Sequence, residues 1–243
     1  MKRLLGLAAI ALLTMPAFAR ETRTETFASD FQTVPVMANT TGAGGVVFRT
    51  QVSILNPTAA AFPIDVTLFD AAGTQHDAVI TLAAGELKTF TNFLDDVFDY
   101  SGGGAVTFRS ANADQRFVVN AEIWTDGGRY GTDIPALEFG GTDSPSFSPG
   151  IAVGSLSRTN VGCLNQAGGE NRITATVLDA NGLAIGSVEL KLPANAWGQT
   201  RISTIVNGGY VRFTPSDSAV CYAVVVDNST NDGRFIPAAE YRP

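Results

Sequence analysis

The chain has 243 residues, 45% hydrophobic and 16% charged, with 25 glycines and 11 prolines. That composition supplies a packed core and many turns, and it excludes a wholly disordered chain. A net charge of −7 opposes binding to nucleic acid or to anionic membrane surfaces.

Lys2 and Arg3 precede an apolar run from Leu4 to Leu13, then Met15, Pro16 and Ala17-Phe18-Ala19. Charged region, apolar region and small-residue cleavage site in that order predict a secretory signal peptide over residues 1–19. The run is too short for a membrane span, which needs roughly 20 apolar residues. Removing it leaves 14 basic residues against 23 acidic ones, a net charge of −9. No later segment is apolar enough to span a membrane, and the expected location is secreted or periplasmic.

Beyond this leader the hydrophobic period is two, the signature of strands with one buried face. Val46, Phe48, Val52 and Ile54, then Ile64, Val66 and Leu68, then Val119, Ala121 and Ile123 form the first set. Val161 and Cys163, then Ile173, Ala175 and Val177, then Cys221, Ala223 and Val225 form the second. Asn56-Pro57, Ala72-Gly73, Ala84-Gly85, Asn181-Gly182 and Asn207-Gly208-Gly209 supply turns between strands. Between Ala84-Gly85 and Val106, Asn92 is placed to cap a short helix with Asp95 and Asp96 in its first turn and Leu94, Val97 and Phe98 facing the core.

The two sets are copies. Shifted by 109 residues, Arg49-Thr50, Asn56, Asp70-Ala71 and Gly73 fall on Arg158-Thr159, Asn165, Asp179-Ala180 and Gly182; later, Ile134-Pro135-Ala136 matches Ile236-Pro237-Ala238. A repeat this long is a whole domain rather than a solenoid unit. The sequence thus predicts an all-β protein of two tandem antiparallel β-sandwich modules, with immunoglobulin-like topology, at 31–140 and 149–243, joined by a linker at 141–148. The second copy is shorter after its fifth strand and is expected to lose the helix.

Cys163 and Cys221 replace the apolar pair Ile54 and Val119 of the first copy. In an oxidising compartment they predict a disulfide, the alternatives being two buried free thiols or a reactive pair. Catalytic signatures are lacking. His76, the lone histidine, is read as a turn residue, and there is no nucleophile elbow, P-loop or dinucleotide fingerprint. A glycosidase would need two carboxylates, for which Glu122 with Asp126, or Asp227 with Asp232, are the nearest pairs. The loops before each Ile-Pro-Ala hold Asp126 and Asp133 in one copy and Asp227 and Asp232 in the other, a weak Ca²⁺ pattern that ordinary turns also produce. Trp124, Tyr130 and Trp197 are candidates for stacking on a glycan or anchoring a protein partner, or for packing between the modules.

The segments Arg158-Thr159-Asn160-Val161-Gly162, Leu178-Asp179-Ala180-Asn181-Gly182 and Val225 to Asp232 leading into Phe235-Ile236-Pro237-Ala238 resemble a β-rich module found in tandem in secreted bacterial proteins. It is similar to the immunoglobulin-like accessory domains of exported enzymes and surface proteins. The resemblance implies a sandwich fold and export, and it carries no catalytic motif. The expectation is an exported, non-enzymatic protein serving binding, adhesion or structural roles, with carbohydrate binding or a secreted glycosidase as alternatives.

Overall fold

A computed structural model describes residues 28–42, 45–125, 130–138 and 140–240. The signal-peptide reading and Asp126 lie outside the described residues. The N-terminal half contains β1 (Phe31–Thr41), β2 (Val47–Leu55), β3 (Phe62–Phe69), β4 (Gln75–Leu82), β5 (Leu87–Phe90), α1 (Phe93–Phe98), β6 (Gly102–Ser110), β7 (Val118–Thr125) and β8 (Tyr130–Pro135). The C-terminal half contains β9 (Ser146–Val153), β10 (Ser157–Asn165), β11 (Asn171–Leu178), β12 (Ala184–Leu192), β13 (Trp197–Arg201), β14 (Val206–Pro215), β15 (Ala219–Asp227), β16 (Gly233–Pro237) and β17 (Ala239–Glu240). Ser146, assigned to the linker by composition, already begins β9.

Both halves use one strand plan, and every ladder is antiparallel. In the first, β4-β3-β6-β1 lies against β5-β2-β7-β8; in the second, β12-β11-β14-β9 lies against β13-β10-β15-β16, with β17 added beside β9. β1-β6-β3 neighbour one another in one layer and β2-β7-β8 in the other, with β4 and β5 at the edges, an antiparallel sandwich. β1 pairs with β6 as far as Asn39, through a bulge between Val34 and Met37, and with β2 from Asn39 to Thr41, so in the first half one strand joins both sheets.

The inward residues of each half build its own core. Val52, Ile54, Ile64, Val66, Leu68, Phe108 and Ala121 meet in the first; Val161, Ile173, Ala175, Val211, Phe213 and Ala223 meet in the second. The residues shared by the copies hold loops rather than a ligand. Asn56, fully buried, donates to the carbonyls of Ala60 and Ala83 and accepts from Thr58 N–H; Asn165 does the same with Gly169, Pro193 and Ala167. Thr50 brackets the backbone of Ala38 as Thr159 brackets that of Ala152. Asp70 and Asp179 each cap a hairpin whose glycine, Gly73 or Gly182, has φ of 83°.

Three local expectations change. Asn207-Gly208-Gly209 is not a hairpin turn but a bulged stretch inside β14, where Gly208 takes φ of 75°. Asn92 stands at the N-cap position of α1 without capping it: its amide donates to Asn39 Oδ1, and the Asp96 carboxylate accepts the Asn92 N–H instead. His76 is on β4, where Nε2 lies 3.2 Å from Asp70 Oδ2 and the ring rests against Tyr100. Burial raises the Asp70 pKa, but the hydrogen bonds from His76 and from the Thr74 and Ala72 N–H groups outweigh it, leaving the carboxyl below its usual range. The second half has no counterpart of α1 among its described residues.

Candidate functional site

The sheet β13-β10-β15-β16 is covered on both faces. Its inner face carries Cys163 and Cys221, directly opposed on β10 and β15 and joined as a disulfide with Cα atoms 4.1 Å apart. Both lie in the core of the second half. The other face carries Tyr222, Val224, Phe235 and Trp197, which pack against the core of the first half. β15 accordingly reads Ala219-Val220-Cys221-Tyr222-Ala223-Val224-Val225-Val226 before its terminal Asp227, with no charged residue in that run, as a doubly covered strand does.

Tyr222 is the centre of that contact. It is completely buried, lies over Gly162 on the neighbouring strand and stacks on Phe235 with centroids 5.2 Å apart. Its hydroxyl accepts from Trp197 Nε1 at 3.1 Å and donates to Gln199 Oε1 at 3.1 Å. Burial pushes this phenol far above its ordinary pKa, against the smaller lowering effect of the Trp197 bond, so it stays protonated and keeps donating. The Trp197 backbone N–H donates to Asp70 O at 3.0 Å, and its ring covers Gly103, where a Cβ would come within 2.8 Å. Glycine at 103 is what allows the indole to dock.

Along the same face, away from Tyr222, the halves separate into a cleft of about 770 Å³. The first half contributes Met37, Ile123 and Ile134 from its core, together with Phe48. The second contributes Trp197, Val224 and Val226, then Asn160, Gln199, Arg158 and Arg201. Arg201 is opposite Asn160 in the β10–β13 ladder, so Arg158, two residues before Asn160, is its diagonal neighbour on one face. Arg158 donates to Asn228 Oδ1 at 3.2 Å and to Asn231 Oδ1 at 2.8 Å. Burial, then repulsion from Arg201, lower its pKa, with Asp227 opposing. Among the described residues lining the cleft there is no Asp or Glu.

A second depression of about 610 Å³ shares Val46 and Asn231 with the cleft and is lined by Arg49, Trp124, Tyr130 and Thr230. Trp124 and Tyr130 therefore come together, while Trp197 belongs to the cleft. The aspartates of the calcium pattern do not assemble: Asp133 is exposed on β8 opposite Glu122, and Asp227 and Asp232 are exposed on the β15–β16 turn. Asp227 Oδ1 accepts from the N–H and hydroxyl groups of both Ser229 and Thr230, which hold its pKa down to about 2. Among the described residues no three His, Cys, Asp or Glu side chains are grouped to hold a metal. Neither carboxylate pair considered for glycosidase chemistry lines the cleft as far as its residues are described.

The chain matches no protein-family model and no curated protein. What the site can do is thus argued from its own residues. Arg158, Arg201, Asn228 and Asn231 are absent from the sequence-based candidates. Their signal was the apolar run of Ala219–Val226, which marks an outer face that something must cover, and Arg158 lies on the strand beside it.

Proposed function

We propose that the protein is an exported, non-enzymatic binding protein whose two sandwich modules form one ligand site at their junction. The observation that carries this reading is the cleft itself, of a size suited to a small ligand, with an apolar floor drawn from both halves and a polar rim from one. The disulfide fits an extracellular or periplasmic setting, and among the described residues no helix is long and apolar enough to cross a membrane. The test is titration with Nile red, a neutral apolar fluorophore. Wild-type protein is expected to bind it with blue-shifted emission, and Val224→Trp, which fills the cleft from a half-buried position, is expected to abolish binding at near-native Tm. Undiminished binding in that variant, or no binding to wild type, overturns the reading.

The pairing of Trp124 with Tyr130 beside Arg49 supports a second reading, glycan recognition in the adjoining depression. A glycan array on which wild type binds and Trp124→Ala does not would establish it; silence of the wild-type protein would remove it.

A further inference from the structure

The charge of the cleft is opposite to that of the protein around it. The chain holds 23 acidic residues and a net charge of −7, yet the described lining of the cleft has two arginines and no carboxylate. Arg158 and Arg201, diagonal neighbours on one sheet face, repel each other. Among the described residues, neither arginine has a carboxylate within ion-pair distance. Arg158 is instead oriented by two neutral amide oxygens from the β15–β16 loop, which fix the guanidinium without cancelling its charge. Asp227, the carboxylate nearest in effect, is occupied by Ser229 and Thr230. The apolar floor begins directly beside this pair, at Val224 and Val226 on β15 and at Ile123 and Ile134 across the cleft.

We propose that the cleft binds an anionic amphiphile, whose single carboxylate head is received by Arg158 and Arg201 and whose apolar body lies on Met37, Ile123, Ile134 and Val224. This rests on the cleft being a binding site, and it names the ligand class. A planar carboxylate matches the fork of a guanidinium, and the apolar walls lower the local dielectric and so strengthen the contact. A free inorganic anion would leave the floor unused, and a neutral lipid would leave the arginines without an acceptor.

The experiment compares dodecanoate, dodecanol and sodium sulfate as competitors of Nile red and by calorimetry at low salt. Dodecanoate is expected to bind at least tenfold more tightly than dodecanol, with sulfate weaker than either. Arg201→Gln and Arg158→Gln are each expected to weaken dodecanoate about tenfold, the effect of one charge-assisted hydrogen bond, and to leave dodecanol unchanged. Arg201 is exposed and outside the β15–β16 loop, so its variant decides the matter should Arg158→Gln disturb that loop. Equal affinity for dodecanoate and dodecanol, both displacing Nile red and both indifferent to Arg201→Gln, overturns the anionic head while the binding site stands. Sulfate binding as tightly as dodecanoate overturns the amphiphile. Failure of wild type to bind Nile red, dodecanoate or dodecanol overturns both readings.

Discussion

Replacing Tyr222 by alanine removes a side chain that belongs to a strand of one half and to the core of the other. A fully buried aromatic truncated to alanine costs about 3–5 kcal/mol, because the space between Gly162 and Phe235 cannot close completely. Tyr222→Phe keeps the ring and loses only the hydroxyl that bridges Trp197 Nε1 and Gln199 Oε1, for about 1–2 kcal/mol. The expected order is therefore wild type, then Tyr222→Phe, then Tyr222→Ala, with about 2–3 kcal/mol between the two variants. Urea unfolding followed by the fluorescence of Trp124 and Trp197 and by circular dichroism measures it. Since the ring ties the halves together, the alanine variant should also weaken Nile red binding. If alanine costs no more than phenylalanine, or leaves the cleft probe unaffected, the ring does not hold the junction and the reasoning fails.

Reducing the Cys163–Cys221 bond, or replacing both cysteines by alanine, should lower stability by about 4 kcal/mol in the chain-entropy treatment of a loop with a sequence separation of 58; urea denaturation with and without reductant shows this. Asn56→Ala and Asn165→Ala should each destabilise by about 1–3 kcal/mol, since each removes a buried amide that fastens two loop carbonyls, and the two values should agree within about 1 kcal/mol. Asp227 has a folded pKa of about 2 against an ordinary 3.8, so its ionised form favours the native loop; that contribution is complete above about pH 4 and lost as pH falls through about 2. A carboxyl chemical-shift titration with its midpoint near 3.8 would contradict it. Gly162→Val should displace the Tyr222 ring and lower Tm more than Gly169→Val, at an open loop position, does.

The period-two patterns located the core strands because one face of each was to be buried, and the repeated Asn, Thr and Asp residues proved to be the loop fasteners of both halves. The disulfide was legible because both cysteines stood at apolar positions of matched strands. The junction was harder to read. Counting Cys221, Ala223 and Val225 as the inward set found the inner face of β15 and passed over Val220, Tyr222, Val224 and Val226 on the other. Alternation reports one buried face, whereas an unbroken apolar run reports two. Arg158 looked like part of a repeated Arg-Thr motif, and only the strand ladder brings it diagonal to Arg201, more than 40 residues away. Asn92 and Asn207-Gly208-Gly209 were misassigned for a common reason: the same residues serve caps, turns, bulges and tertiary hydrogen bonds, and the surroundings choose among them.

The covering of one sheet also makes the two copies unequal as docking partners. In the second half the face that docks carries Tyr222, Val224 and Gly162; the matching positions of the first half hold the polar residues Asn120, exposed, and Glu122 and Ser53, half-buried. A head-to-tail contact of this sort, repeated, would propagate into a filament. The first half holds Asn120 and Glu122 where the second docks through Tyr222 and Val224, so the contact is not repeated through that face, much as a polar end repeat terminates a solenoid. Exchanging Asn120 and Glu122 for the Tyr and Val of the other copy would give the first half the docking face of the second.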